Sequence, residues 1–266
     1  MLQRLFKPFF NNKAAHFSLP KALFWLWVIG LIAMPLLPSA LALPWVSVGV
    51  ALQALTVWAA LAQDQGHRSA LRLLVLVLVF TWLTEWIGSR SGFPFGRYHY
   101  TDRLQPQIAG VPLLIPFAWW MMLPPSWVIA GRIVPERAQP AARVIRALIA
   151  AAAFTAWDLF LDPQMVSWNL WAWETPGAYF GIPLSNFLGW LLASFLLSLP
   201  LMPSNLTTPL LLRVYIFTWL LQFGGQILFW KLSGSALTGF LGMGIIILLA
   251  WKRQKNGQGL REFDGS

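Results

Sequence analysis

The sequence contains no cysteine. That excludes disulfides, thiolate nucleophiles and Cys-ligated zinc or iron–sulfur sites. Histidine is almost as scarce. His16, His67 and His99 are far apart, with no i,i+4 pair and no His-rich box, so a di-iron oxygenase or desaturase is not expected and no metal site is assigned. No phosphate-binding P-loop and no dinucleotide-type glycine fingerprint is present. Charge is the third shortage. Charged residues make up 11% of the 266 and the AVILMFWYC set 58%, against about 25% and about 45–50% in a soluble domain. So few charges cannot coat a water-facing surface, and the solvent of this chain must be largely lipid. Disorder is excluded by the same composition. The net charge of +10 does not call for nucleic acid, because basic residues in a membrane protein record topology.

What the sequence has is apolar length. Eight stretches reach the roughly 20 residues that a bilayer-crossing helix needs: 22–43, 44–63, 70–88, 111–131, 142–162, 182–202, 209–230 and 236–251. The first two are separated by a tight turn at Pro44. The eighth is short and glycine-rich, so seven spans is an alternative. Ala40-Leu41-Ala42 after a basic, apolar start also permits a cleaved signal peptide, although Pro35 and Pro38 interrupt that run. The reading adopted is an all-α bundle of about eight transmembrane helices in one integral membrane domain, 1–266. It has a basic N-terminus (1–21), a bundle (22–251) and a tail (252–266), and its expected home is the cell (plasma or inner) membrane.

With both ends cytoplasmic, fifteen of the nineteen basic residues fall inside. Outside are Arg90, Arg97, Arg103 and Lys231, as the positive-inside rule favours. Of the nine acids, Asp64, Glu136, Glu262 and Asp264 sit on the inner side or tail. Glu85, Asp102, Asp158, Asp162 and Glu174 gather at the outer ends of helices 3 and 5 or in the loops that follow.

Glu85 opens the run Glu85-Trp86-Ile87-Gly88-Ser89-Arg90-Ser91-Gly92-Phe93-Pro94-Phe95-Gly96-Arg97-Tyr98-His99-Tyr100. Pro94 and the Ser-Arg-Ser triplet favour a loop, in which glycines allow tight turns that hold aromatic rings. Tyr98, Tyr100 and Tyr179 lie in outer loops, where an aromatic belt is the simplest reading. Asp158 and Asp162 are four apart and share a helix face. Two carboxylates on one face near lipid are costly and favour a shared proton. The plainer alternative for Asp162 is a place at the water boundary, with the helix ending before Pro163. Asn186 falls in the first turn of helix 6. Gln222 and Gln226 form an i,i+4 amide pair better suited to interhelical bonding. Trp119 and Trp120 lie about 13 Å below the outer end of helix 4, at 1.5 Å per residue, positioned to pack or to line a pocket. With seventeen tryptophans in the chain, a cation in the membrane would meet many indole faces, each worth about 0.5–2 kcal/mol. One or two acids, aromatic walls and no cofactor motif suit protonation of a lipid alkene.

Four ordered motifs carry a resemblance. They are Glu85-x-x-Gly88-x-x-x-Gly92-x-x-Phe95-Gly96-x-Tyr98-x-Tyr100, Val111-Pro112-x-x-Ile115-Pro116-x-x-Trp119, Trp157-Asp158-x-x-x-Asp162-Pro163 and Tyr179-Phe180-Gly181-Ile182-Pro183-x-x-Asn186-Phe187-x-Gly189-Trp190. Over residues 80–190 the chain resembles the membrane carotenoid-biosynthesis proteins typified by the carotenoid 1′,2′-hydratases, with relatives acting as bisanhydrobacterioruberin hydratases on C50 carotenoids. The resemblance implies addition of water across the C1′=C2′ bond of an acyclic ψ-end group, as in lycopene or γ-carotene, without a cofactor. Its partners would be a carotenoid in the bilayer and water, with no nucleic acid; a complex with other pathway enzymes is compatible with it. On this reading Asp158 and Asp162 form the acid, and Glu85 orients or deprotonates water with Asn186 and Tyr98, although these roles are interchangeable. Tyr100, Trp119, Trp120, Trp157 and Tyr179 complete the substrate-binding set. A carotene end-group cyclase begins with the same protonation. A non-enzymatic lipid transporter or binding subunit would instead show inverted repeats with broken helices.

Overall fold

A computed structural model describes residues 18–135 and 139–263. Arg4, Lys7, Lys13, His16, Glu136, Arg137 and Asp264 lie outside the described residues. Among those described, the chain forms eight helices long and apolar enough to cross a membrane. They are α1 (Leu19–Ala33, extended by a 3₁₀ turn Met34–Leu36), α2 (Ser39–Gln65), α3 (His67–Ser91), α4 (Leu114–Ile133), α5 (Pro140–Ser167), α6 (Leu184–Leu201), α7 (Pro209–Leu228) and α8 (Ser233–Phe263). The chain is a multi-pass membrane helix bundle. Four short strands occupy the long connections: β1 (Tyr98–Tyr100), β2 (Gln107–Ile108), β3 (Val111–Pro112) and β4 (Trp171–Trp173).

Three boundaries differ from expectation, each for a local reason. The first turn falls at 34–38 rather than at Pro44. Pro35 and Pro38 remove two backbone donors within one turn, whereas Pro44 sits early inside α2. Ser89-Arg90-Ser91 is helical rather than loop. α3 runs on until Gly92, whose φ of 78° ends it with a left-handed cap bonded to the Gly88 carbonyl. α5 does not stop before Pro163 but continues to Ser167. Pro163 has no N–H for the carbonyl of Leu159, and the Tyr179 hydroxyl donates to that carbonyl instead at 2.8 Å.

α4 is the central helix, with 83% of its apolar window buried, against 22% for α3. Inside lipid the hydrophobic effect gives helices little reason to associate, so close packing and polar ties hold them. α8 lies against α5 through missing side chains. A Cβ on Gly239 would come within 2.5 Å of Phe160, and one on Gly242 within 2.9 Å of Leu159. Trp120 donates to the Ala54 carbonyl (3.1 Å), Trp127 to Ser198 Oγ (2.8 Å) and Tyr215 to the Ala153 carbonyl (2.8 Å). At the opposite end from the long loops, Arg143 donates to the carbonyls of Leu199 and Pro200 (2.8 and 3.1 Å), occupying acceptors that the end of α6 leaves open.

The two long connections, α3–α4 and α5–α6, meet on one face. β1 and β4 pair antiparallel, with Tyr98 opposite Trp173 and Tyr100 opposite Trp171. The β2–β3 hairpin turns through Ala109 and Gly110, both at positive φ (51° and 82°), as a two-residue hairpin requires. Phe95 fixes the first loop to the bundle. Its ring sits between two glycines, so that a Cβ on Gly88 of α3 would lie 2.6 Å from it and one on Gly189 of α6 2.7 Å.

Candidate active site

Glu85 lies near the end of α3, only 3% exposed. Strand alternation puts Tyr98 and Tyr100 on one side of β1 and His99 on the other. Both tyrosine hydroxyls donate to the same oxygen, Glu85 Oε2, at 2.5 and 2.8 Å. Burial first, and then the negative charge of Glu85, push both phenols well above their ordinary value of 10.0. They therefore remain O–H donors. Trp119 directs its indole toward Glu85 without completing a hydrogen bond.

Asp158 and Asp162 project from one face of α5, at 0% and 2% exposure. Asp162 is not at a water boundary, because the helix continues past Pro163 and β4 covers it. The Trp171 indole of that strand donates to Asp162 Oδ1 at 3.2 Å. Asn186, in the first turn of α6, donates from its single amide nitrogen to Asp158 Oδ2 at 3.0 Å and also to Asp162 Oδ2. The second Asp158 oxygen has no hydrogen-bond partner among the described residues.

Glu85, Tyr98, Tyr100, Trp119, Asp162 and Asn186 all line one cavity of about 20 Å³, closed by Phe95, Trp171, Trp173 and Trp190. A single water needs about 10–15 Å³ of such space and two to four polar partners, so the cavity is sized and lined for one. Beside it lies an apolar cavity of about 300 Å³. Ile115, Ala118, Leu161 and Trp171 border both. Trp157 lines the larger one, its ring 6.1 Å from that of Trp190.

Two of the sequence-predicted binding residues are not brought here. Trp120 is fully buried against α2. Its neighbour Trp119 is five residues into α4, about 8 Å from the helix start, rather than 13 Å. Tyr179 braces the Leu159 carbonyl and lies 2.5 Å from Thr238 Oγ1. Burial pushes its phenol up to about 12. Of the five acids expected on this face, Asp102 and Glu174 are exposed on the loops. Gln226 donates to the Phe160 carbonyl and accepts from Ser235, an interhelical role. Phe95 and Trp190 stand in the sequence motifs, and Trp171 and Trp173 in the tryptophan-rich run before Glu174, but the sequence assigned none of the four to the site. The Trp-Ala-Trp alternation of 171–173 was the available signal, since it puts both indoles on one strand face.

The geometry can be set beside known proteins. A family model described as "Carotenoid biosynthesis protein" matches residues 39–247. The chain belongs to this family. All the residues lining the small cavity fall inside the matched span. Over 128 residues the chain is 31% identical to a bisanhydrobacterioruberin hydratase of Haloarcula japonica, an alignment covering 48% of this chain and 42% of that relative. The chain thus matches less than half the length of this relative. No solved structure matches it. Family membership makes this a membrane protein of carotenoid biosynthesis with a hydratase among its relatives.

Proposed function

We propose that the protein hydrates the terminal C1′=C2′ bond of an acyclic carotenoid ψ-end group, producing a tertiary 1′-hydroxyl. The observation that carries this reading is that Glu85 and Asp162 line one water-sized cavity that shares a wall with an apolar cavity. Two adjacent buried carboxylates cannot cheaply both hold charge, so the Asp158/Asp162 pair keeps one proton, with the Asn186 amide donating to one oxygen of each. Asp162, the member on the cavity, gives that proton to C2′. The π-electrons of the double bond form the new C2′–H bond and leave a tertiary cation at C1′. Indole faces, Trp119 and Trp171 among them, stabilise the cation without attacking it, by about 0.5–2 kcal/mol each.

Glu85 is the base. The two tyrosine donors hold Oε2, leaving the carboxylate oriented toward the cavity. As the water oxygen bonds to C1′, its proton passes to Glu85. The net change is alkene plus water to alcohol, and a proton returned from Glu85 to the aspartate pair resets the site. The same protonation followed by ring closure would give a cyclase. A polar space for one water beside a buried base favours water capture. The face carrying the site is the outer one on the positive-inside count, and the water comes from that side.

Expression in lycopene-producing cells, followed by pigment analysis, tests the reading. A more polar monohydroxylated or dihydroxylated carotenoid supports it. Unchanged pigment with good membrane expression contradicts it.

A further inference from the structure

The 300 Å³ cavity has walls from α1, α2, α4, α5 and α7. α1 and α7 touch in the half of the bundle away from the site, where Phe217 meets Phe24 edge-on at 5.1 Å and Trp25 at 6.0 Å. Towards the site they part, and the cavity lies between them. Its lining there includes residues that are also exposed on the outside of the bundle, Ile32 at 58%, Leu228 at 72% and Phe229 at 50%. A wall shared between a cavity and a lipid-facing surface is an opening. On α7, Gly224 lines the cavity, and a Cβ built there would meet nothing within 4 Å. That is unlike Gly225 beside it, where a Cβ would lie 2.4 Å from Trp230. Gly224 is therefore not needed for helix packing; it leaves space that belongs to the cavity.

We infer that this cavity seats one isoprenoid end group, which enters sideways from the bilayer between the site-proximal halves of α1 and α7. With one end at the carboxylates and the other open to the bilayer, the cavity takes the end of a chain first. The remaining polyene lies in the bilayer outside the portal. The protein consequently reads the end of the molecule and not its length. The inner end of the cavity, at Ile115, Ala118, Leu161 and Trp171, delivers the terminal double bond to Asp162. This inference rests on the carboxylate site being the reacting centre.

The test is a size series at Gly224 in the full-length protein, expressed in lycopene-producing cells. It has two readouts: hydroxylated product, and lycopene co-purifying with the protein in mild detergent. Gly224→Ala should stay within about twofold of wild type in both, and Gly224→Phe should lose at least about tenfold in both. Leu248→Phe, on the lipid-facing side of α8 (50% exposed), should change neither. Equal membrane levels and melting temperatures for the variants separate blockage from misfolding. Full product and full lycopene retention by a folded Gly224→Phe variant would overturn the portal. If wild type yields no hydroxylated product but binds lycopene in a Gly224-dependent way, the cavity assignment survives and the hydratase reading fails. A C50 acyclic carotenoid should be hydrated with a rate within about threefold of lycopene. A strong length preference would contradict end-group reading.

Discussion

Glu85 of α3 and Asp162 of α5 line the same water-sized cavity, and each is held there by donors from the loop strand facing it. Tyr98 and Tyr100 of β1 hold Glu85, and Trp171 of β4 holds Asp162. Because β1 pairs with β4, one small sheet sets both carboxylates at once.

Removing the carboxylates separately should stop the reaction while sparing the fold. Glu85→Gln, Asp158→Asn and Asp162→Asn keep shape and hydrogen-bonding capacity. Each is expected to cut product formation by about 10²–10⁴-fold, the usual contribution of a positioned acid or base. Quantified pigment per unit of membrane-inserted protein is the readout. A variant that keeps full activity removes its residue from the mechanism.

The tyrosines should show a graded and non-additive effect. Tyr98→Phe or Tyr100→Phe leaves Glu85 one donor, at a cost of about 1.5–3 kcal/mol for a bond to a charged group. The double variant leaves none. A double-mutant cycle on product formation should give coupling above about 0.5 kcal/mol. Strict additivity would mean that the two hydroxyls do not act on a common group.

Phe95 wedged between two glycines predicts a stability defect with a functional consequence. Gly88→Ala or Gly189→Ala should displace the ring and cost about 1–3 kcal/mol through overpacking. It should also shift Trp173, whose indole donates to the Phe95 carbonyl at 3.1 Å. Thermal unfolding in detergent measures this. Wild-type melting for both alanine variants would show that Phe95 is not confined there.

Alkali supplies a third readout. The loop phenols Tyr98, Tyr100 and Tyr179 ionise above their unfolded value of 10.0. A folded pKa above the unfolded one contributes stability that is full below pH 10 and is lost as pH rises further. Absorbance titration of the folded protein should therefore show no phenolate from these residues at pH 10. Their phenolate should emerge together with unfolding. Normal titration near pH 10 without unfolding would contradict the placement of Tyr98 and Tyr100 on Glu85 and of Tyr179 on the Leu159 carbonyl.

Much of this was legible in the sequence, and what was not has a physical cause. Lipid demands long apolar helices, so length narrowed the spans to seven or eight, and the basic tail, which the positive-inside rule keeps on the N-terminal side, favoured the eight that are seen. The i,i+4 spacing of Asp158 and Asp162 survives as one helix face. Helix ends were less legible because a proline within a long apolar run need not break it, as Pro44 in α2 and Pro163 in α5 show. Pro163 passes unnoticed because Tyr179, far along the chain, supplies the donor. The β1–β4 pairing was hidden because strands of three residues carry too little pattern to reveal a partner. Orientation has its own test, for which Gln164 near the outer end of α5 is unsuited because it is only 3% exposed. Single cysteines at Ser91 and Thr175, both exposed, should react with an impermeant thiol reagent from outside intact cells, and one at Gln139 should not. The reverse pattern would invert the orientation.

The central claim is water capture of a cation made by protonation, and the fate of isotopic water tests it most directly. Membranes holding the protein and lycopene are incubated in water labelled at oxygen, and the product is examined by mass spectrometry. The account predicts one labelled oxygen per hydrated end, as a tertiary alcohol, absent in Asp162→Asn and Glu85→Gln. A cyclised product without oxygen, or a hydroxyl carrying no label, would contradict it.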